Sequence, residues 1–250
     1  MEIYLQRVLI DAALNLGLLA PFIAVAVLAT KGAAKSAVKP VVLFAVLLML
    51  DIALVFLFKV VSFIPDWGGW NWQGKLLQSA WPLVLVAVVP MFTAEEVGIR
   101  LPAEHRSWGV VLVVCALYAV IALPLLLHFA HWKPDFVHKL PVYAYEGTMP
   151  GLGEELAYRG VMLMLLNRAF GRPWRFAGIQ CGWGFVIVTA MFGFLHGIDA
   201  TPGKVHIYWT AMLFPDAIGT VLAWLRERTG SVWPCVVFHN FVNVLSTLFS

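Results

Sequence analysis

Stretches of about 20 apolar residues recur along the chain, and they restrict its fold more than any other feature of the sequence. One of them, about Gly109–His131, holds no charged side chain before its closing histidines. A helix of about 20 residues crosses the hydrocarbon core of a bilayer. The chain is 61% hydrophobic and 12% charged, whereas soluble proteins are about 25% charged. The sequence therefore predicts an all-α, polytopic membrane helix bundle that forms a single transmembrane domain over residues 1–250.

Eight segments reach or approach the length of a membrane span. They are about Val8–Thr30, Val41–Ile64, Leu76–Phe92, Gly109–His131, Thr148–Phe170, Phe176–Leu195, His206–Leu225 and Val232–Phe249. The first carries Asp11 and Asn15 and follows no basic leader, which favours a retained span over a cleaved signal peptide. The third is short. We expect about eight transmembrane helices in an integral, multi-pass protein of a prokaryotic plasma membrane.

Charge and cysteine usage exclude several classes of protein. The net charge is +3 and no basic run is present, so a nucleic-acid partner is not expected. The three cysteines lie in apolar runs without a CxxC spacing, which argues against a disulfide framework or a zinc knuckle. The expected partners are the lipid bilayer and a membrane-associated protein or peptide. The oligomeric state is left open.

Small and polar residues inside the predicted spans indicate how helices pack. Gly178–Gly182 and Gly193–Gly197 are small-xxx-small pairs, which let two helix backbones approach closely. Asp51 lies in the middle of the second span, where a charge is costly unless it faces the interior of the bundle. We expect Asp51 to face that interior.

The segment Gly151–Gly160 places two adjacent carboxylates and an arginine near the start of an apolar helix. Each such charge costs about 2.5–3.5 kcal/mol at the centre of a bilayer on insertion scales. Residues four apart share a helix face, so Glu155 and Arg159 are expected to pair. Glu154 points about 100° away from Glu155 and shares a face with Tyr158. We infer that Glu155 and Arg159 neutralise each other, which leaves Glu154 available for chemistry.

Two further patterns place polar side chains on one helix face. Phe192 and His196 are four residues apart, and so are His239 and Asn243. A single buried histidine is usually a satisfied core residue. Two histidines, an asparagine, two glutamates and an arginine on three membrane helices instead indicate a site, although a structural ion-pair cluster is the competing interpretation.

This set of side chains suits hydrolysis of an amide bond without a covalent intermediate. A buried carboxylate can act as a general base toward water, and a histidine can hold that water or protonate the leaving amine. An asparagine amide and a second histidine can donate to a tetrahedral oxyanion. Neither Gly-x-Ser-x-Gly nor His-Glu-x-x-His occurs, and Ser231 has no evident base beside it.

The three patterns, in this order, resemble the CPBP (Abi, or CAAX protease) family of intramembrane glutamic endopeptidases. They are Glu154-Glu155-x-x-x-Arg159, Phe192-x-x-x-His196 and His239-x-x-x-Asn243, and Thr229–Pro234 is also similar to that family. The resemblance covers about Gly151–Leu248, whereas residues 1–150 are similar only in being hydrophobic. It implies that Glu154 is the general base and that His196, His239 and Asn243 complete the catalytic site. Glu155, Arg159, Tyr158 and Phe192 are then supporting residues.

The function expected from the resemblance is hydrolysis of a peptide bond near the end of a membrane-associated or exported protein. One alternative is a zinc-dependent protease with Glu154, His196 and His239 as ligands. We expect no cofactor, because Asn243 is a good hydrogen-bond donor and a poor zinc ligand. A non-catalytic immunity or scaffold membrane protein is a second alternative. A transporter is a third, although no duplicated halves are evident.

Lysines and arginines are distributed unequally between alternate loops. One set of loops holds ten, namely Lys31, Lys35, Lys39, Arg100, Arg106, Arg168, Arg172, Arg175, Arg226 and Arg228; the other holds five, namely Arg7, Lys75, Lys133, Lys139 and Lys204. The positive-inside rule makes the first set cytoplasmic and places both termini outside. Glu154 and His196 then fall in the outer half of the membrane, and the site is expected to open to the exoplasmic face.

Overall fold

The computed structural model describes residues 2–30, 34–57, 67–102, 104–129, 139–201 and 203–249. The α-helices are α1 (Glu2–Ala29), α2 (Ala34–Leu57), α3 (Trp72–Val88), α4 (Ala94–Val97), α5 (His105–Phe129), α6 (Leu140–Glu146), α7 (Met149–Glu154), α8 (Leu163–Phe170), α9 (Trp183–Gly197), α10 (Trp209–Thr229) and α11 (Trp233–Thr247). A π-helical segment, Glu155–Met162, joins α7 to α8 without a break. Two small hairpins are formed by β1 (Trp174–Phe176) with β2 (Ile179–Cys181) and by β3 (Ile198–Thr201) with β4 (Lys204–Ile207).

The described chain contains three helices that are long and apolar enough to cross a membrane. They are Leu5–Ala29, Lys35–Phe56 and Arg106–Phe129, and Trp183–Gly197 is apolar but shorter. Large apolar side chains on α5 point away from the protein; Leu112 and Val120 are each 71% exposed. Such a surface is unfavourable in water and matches lipid tails. The fold is therefore the expected all-α membrane helix bundle, while the number of eight spans stays a prediction.

The bundle is organised around the continuous helix formed by α7, the π-helical segment and α8, which we call the motif helix. It contacts α2, α3, α9, α10 and α11, and all eight residues of the π-helical segment are buried. At its start, the Gly151 backbone N–H donates to Asn240 Oδ1 of α11 over 2.9 Å. Because the π-helical segment is buried, the motif helix places its charged residues in the interior of the bundle. Short π-helical segments inside α-helices are often found at functional sites.

The predicted sixth span was wrong at its start. Phe176 pairs with Ile179 across a tight turn, and the intervening Ala177 and Gly178 both have positive φ, at 45° and 78°. Positive φ at both central residues is typical of the two-residue turn that closes a hairpin. Helix α9 consequently begins only at Trp183, and Gly178–Gly182 is not a helix-packing pair. The predicted seventh span also began too early, because His206 lies in β4.

The second glycine pair packs as predicted. A Cβ atom added to Gly193 would collide with the Asp216 carboxylate of α10, and one added to Gly197 would collide with Met212. Helices α9 and α10 therefore approach closely along this face, as a small-xxx-small pattern permits. This contact fixes the end of α9, which carries His196.

The N-terminal half contributes two polar residues to the interior. Asp51 in α2 is 1% exposed and faces the bundle interior, as predicted. Lys75 does not lie in a loop, as the charge count assumed, because α3 begins at Trp72 and is capped by Asn71, whose side chain accepts from the Gly74 N–H. Helix α3 begins before the apolar run because Asn71 is a favourable N-cap. The predicted ends near Ile64 and His131, and the loop residues Lys31 and Lys133, lie outside the described residues.

Lys75 is left out of the charge count because its side chain is only 12% exposed and pairs with Glu154 inside the bundle. The count is then ten basic residues against four, and the predicted orientation is unchanged. We expect a cysteine at Lys204, which is exposed in β4, to react with an impermeant thiol reagent in intact cells. A cysteine at the exposed Arg175 in β1 should react only after the membrane is permeabilised. The measurement uses a background in which Cys115, Cys181 and Cys235 are replaced. The reverse labelling pattern would invert the orientation.

Candidate active site

Glu154 ends α7, and its two carboxylate oxygens have different surroundings. The residue is 8% exposed. Oε1 lies 2.6 Å from Nζ of Lys75 in α3. Oε2 lies 4.0 Å from Nε2 of His239 in α11 and makes no hydrogen bond within the described part of the chain. One oxygen is thus held by an ammonium group, while the other faces an imidazole.

Glu155 begins the π-helical segment and is fully buried. Its Oε1 accepts a hydrogen bond from Arg159 Nη1 over 3.0 Å, so the ion pair expected from the spacing of four is present. The same oxygen lies 2.8 Å from His239 Nδ1. A carboxylate at Nδ1 fixes the orientation of an imidazole ring and its tautomer. Glu155 therefore joins the arginine to the histidine, a link that the sequence did not reveal.

Arg159 is enclosed on all sides and has no exposed surface. Besides Glu155, its Nη2 donates to the Gly219 carbonyl of α10 over 3.3 Å. Its guanidinium carbon lies 4.4 Å from the centroid of the Phe192 ring, within the range of a cation–π interaction. These contacts compensate the buried charge and tie the motif helix to α9 and α10.

The two histidines meet at Phe192. The His196 ring lies 4.4 Å from the Phe192 ring, and the His239 ring lies 5.7 Å from it, edge to face. His196 Nδ1 is 2.7 Å from the Phe192 carbonyl oxygen, which orients the ring from within α9. His196 is exposed, whereas His239 is only 4% exposed. Phe192 thus sets the relative position of both imidazoles.

Asn243 follows His239 by one turn of α11, and the Glu146 carboxylate of α6 lies near its side chain. The amide nitrogen of asparagine carries two N–H groups that can donate hydrogen bonds. Glu146 was not among the site residues predicted from the sequence.

A buried hydrogen-bond network connects the site to α2 and α3. Lys75 Nζ donates to Gln78 Oε1 over 2.9 Å, and Gln78 Nε2 donates to Asp51 Oδ2 over 2.8 Å. Asp51 also accepts from Trp81 Nε1 over 2.9 Å and from Tyr158 OH over 3.0 Å. Glu154 and Tyr158 share a helix face, as predicted, and that face is turned toward α3. Lys75 and Gln78 were not predicted as site residues. Two polar residues three positions apart at the start of an apolar helix share one helix face, and this pattern could have indicated that the face is turned toward a polar site.

The alternative zinc ligands do not form a metal-binding group. Across the described residues, no three His, Cys, Asp or Glu side chains are arranged so that they could hold a metal ion, and this includes Glu154, His196 and His239. In addition, the Lys75 ammonium group already occupies Glu154 Oε1 and would repel a divalent cation there. The contact with Lys75 therefore argues against Glu154 as a zinc ligand.

The fold and the buried polar cluster define an integral membrane protein with a polar site at the centre of a helix bundle. The family model described as type II CAAX prenyl endopeptidase Rce1-like matches residues 136–245. This region is therefore similar to the CAAX protease family, in agreement with the resemblance carried by the three motifs. The match supports a membrane peptidase. No curated protein and no solved structure matches the chain.

Proposed function

We propose that the protein is an intramembrane endopeptidase in which Glu154 activates a water molecule for attack on a peptide bond. The observation that carries this proposal is the position of Glu154 Oε2, which is buried and 4.0 Å from His239 Nε2. An oxygen atom about 2.8 Å from each of these atoms would fit between them at an angle near 90°. A nucleophilic water in this position is within reach of a base and of a second polar group.

The proposed reaction needs no covalent intermediate. Glu154 takes one proton from water while the water oxygen bonds to the scissile carbonyl carbon, which gives a tetrahedral oxyanion. The C–N bond then breaks, and the leaving nitrogen receives the proton from Glu154. The products are a new carboxyl terminus and a free amine, and Glu154 is again a carboxylate. General base catalysis of this kind contributes about 10²–10⁴-fold to rate.

The remaining site residues have separate proposed roles. His196, which is exposed and packs against Phe192, positions the attacking water or Glu154. His239 and the side-chain amide of Asn243 stabilise the oxyanion. Glu155 supports His239 at Nδ1 over 2.8 Å, and Arg159 balances the charge of Glu155. Donors that are fixed before the reaction stabilise developing charge most effectively.

The proposed substrate is a protein anchored in or attached to a membrane, cut at a bond near its end. The family match, whose description names a CAAX prenyl endopeptidase, extends this proposal to prenylated carboxyl-terminal tails. A signal-like remnant or another exported peptide would serve the same chemistry. The proposed location is a prokaryotic plasma membrane.

The test is cleavage by the purified protein reconstituted in liposomes. Three peptides with one sequence ending in Cys-aliphatic-aliphatic-X are compared, carrying a farnesyl group, an alkyl chain of similar length or no modification. We expect release of a short carboxyl-terminal fragment, detected by mass spectrometry, from at least one lipidated peptide. Serine- and cysteine-directed reagents should not inhibit, because Ser231 donates to the Arg100 carbonyl and Cys235 is fully buried. If the folded, reconstituted protein cuts none of these peptides, the result contradicts the proposed activity on them and favours a non-catalytic role, as a scaffold or a transporter.

Metal removal should leave the proposed activity unchanged. We expect cleavage to survive exhaustive treatment with a strong chelator, because Glu154 Oε1 is paired with Lys75 and not free to bind a cation. Elemental analysis of the purified protein should show far less than one zinc per chain. Stoichiometric zinc whose removal abolishes cleavage and whose return restores it would favour the zinc-dependent alternative.

A further inference from the structure

We propose that Lys75 is a positioning residue of the active site, whose ammonium group holds one oxygen of Glu154 so that the other faces His239 and the reacting water. The inference rests on the proposed function of Glu154. It adds to that function a residue from α3, which lies outside the matched region 136–245. The N-terminal half would then complete the active site rather than only surround it.

The contact between Lys75 and Glu154 is short and shielded from solvent. Nζ and Oε1 are 2.6 Å apart, and the two side chains are 12% and 11% exposed. The residues are 79 positions apart in sequence, so tertiary packing and not local helix geometry brings them together. An ion pair in such surroundings is much less screened than one at the surface. It can therefore hold the carboxylate in a single orientation.

The ion pair engages only one of the two carboxylate oxygens of Glu154, and this determines which oxygen can act as the base. An unanchored carboxylate can rotate and offer either oxygen to water. Here Lys75 occupies Oε1, and Oε2 remains 4.0 Å from His239 Nε2. The oxygen proposed as the base is thereby fixed before substrate arrives. A displacement of about 1 Å in a catalytic group can cost about 10²-fold in rate.

Lys75 is itself held by a second partner, Gln78. Gln78 Oε1 accepts from Lys75 over 2.9 Å, and Gln78 Nε2 donates to Asp51 over 2.8 Å. A flipped Gln78 amide would turn its N–H groups toward the ammonium group and its oxygen toward the carboxylate, so both contacts disfavour that orientation. Gln78 and Asp51 are 0% and 1% exposed. The network therefore gives Lys75 a defined position relative to α2.

Close packing of α3 on the motif helix keeps the network in place. A Cβ atom added to Gly153 would lie 2.8 Å from Gln78 Oε1, so only glycine fits beside this amide without a shift. Gly153 directly precedes Glu154. The close contact between Gly153 and Gln78 therefore also determines the position of Glu154 relative to Lys75 along α3.

The experiment measures kcat, KM and thermal stability of reconstituted Lys75→Met and Lys75→Arg variants, on the peptide that the wild-type protein cuts. Lys75→Met keeps an unbranched side chain, one atom shorter than lysine, and removes the charge, while Lys75→Arg keeps the charge. We expect Lys75→Met to lower kcat about ten- to a hundredfold with KM nearly unchanged, and Lys75→Arg to recover most of that loss. Arg168→Met is the matched control, because Arg168 forms a similarly short ion pair with Glu96, 2.7 Å, away from the site. It should leave kcat unchanged.

A chemical rescue covers the case in which Lys75→Met does not fold. Lys75→Cys is treated with bromoethylamine, which rebuilds an ammonium group at nearly the same distance from the backbone, and treated wild-type protein controls for the native cysteines. We expect kcat to return after treatment. Wild-type kcat in Lys75→Met, or no rescue of folded Lys75→Cys, would overturn the inference and leave Glu154 unaffected. Activity in Glu154→Gln, in contrast, would end the proposed function and the inference with it.

Discussion

Replacing Glu154 with glutamine should abolish peptide cleavage while the protein still folds and inserts. Glutamine has the same shape and can still accept a hydrogen bond from Lys75 through its oxygen, but its amide cannot take a proton from water. Loss of a general base lowers rate by about 10²–10⁴-fold, and we expect the effect at the upper end because one residue performs both proton transfers. The measurement is kcat/KM for the reconstituted variant, normalised to folded protein from gel filtration and thermal unfolding.

The control for Glu154→Gln must separate lost chemistry from lost structure. Glutamine leaves the Lys75 ammonium group without its counter-charge, which lowers stability by itself. Lys75→Met/Glu154→Gln removes both charges and should recover stability without recovering cleavage. A Glu154→Gln variant that cuts at the wild-type rate would exclude Glu154 as the base, whatever its stability.

The parts of this site that follow from local spacing could be predicted from the sequence. Glu155 and Arg159 are four residues apart on one helix, and helix geometry alone makes them neighbours. The order of the three motifs likewise identified the family that the match supports. Neither inference needs any knowledge of how helices pack against one another.

The contacts that depend on packing could not be predicted. His239 meets Glu155 across 84 positions and Lys75 meets Glu154 across 79, and no periodicity within a segment encodes either distance. Because Lys75 directly precedes the apolar run Leu76–Phe92, the sequence predicts a loop position for it. In the structure, α3 begins at Trp72 and packs on the motif helix, which places Lys75 inside the bundle.

The hairpin before α9 was missed for a different reason. In an apolar segment, strand and helix have similar composition, and only the turn residues distinguish them. Ala177 and Gly178 close that turn with positive φ, and alanine gives no warning of such a conformation. The span was therefore started too early at Phe176, whereas its later part, with Phe192 and His196, lies in helix α9 as predicted.

Replacing Glu155 with glutamine should lower stability more than any other single change at this site. Glu155 and Arg159 both have no exposed surface, and Glu155 Oε1 accepts from Arg159 Nη1 and lies 2.8 Å from His239 Nδ1. The substitution leaves a guanidinium group without a counter-charge in an apolar interior. Breaking a buried pair in this way costs about 3–5 kcal/mol. The measurement is the free energy of unfolding in mixed detergent micelles, and the expected result is a loss of that size.

A double-mutant cycle distinguishes an unpaired charge from a general disturbance of the core. Arg159→Met alone leaves the Glu155 carboxylate buried without Arg159, whereas Glu155→Gln/Arg159→Met leaves no unpaired charge. We expect the double variant to be more stable than either single variant, because the destabilising species is the unpaired ion and not the missing contact. Glu96→Gln is the matched control: Glu96 pairs with Arg168 at 2.7 Å but is 46% exposed, and exposed pairs contribute about 0–1 kcal/mol. Equal losses in the free energy of unfolding for Glu155→Gln and Glu96→Gln would show that the buried pair stabilises the protein no more than the exposed pair does. Additive losses in the cycle would show that Glu155 and Arg159 stabilise the motif helix independently.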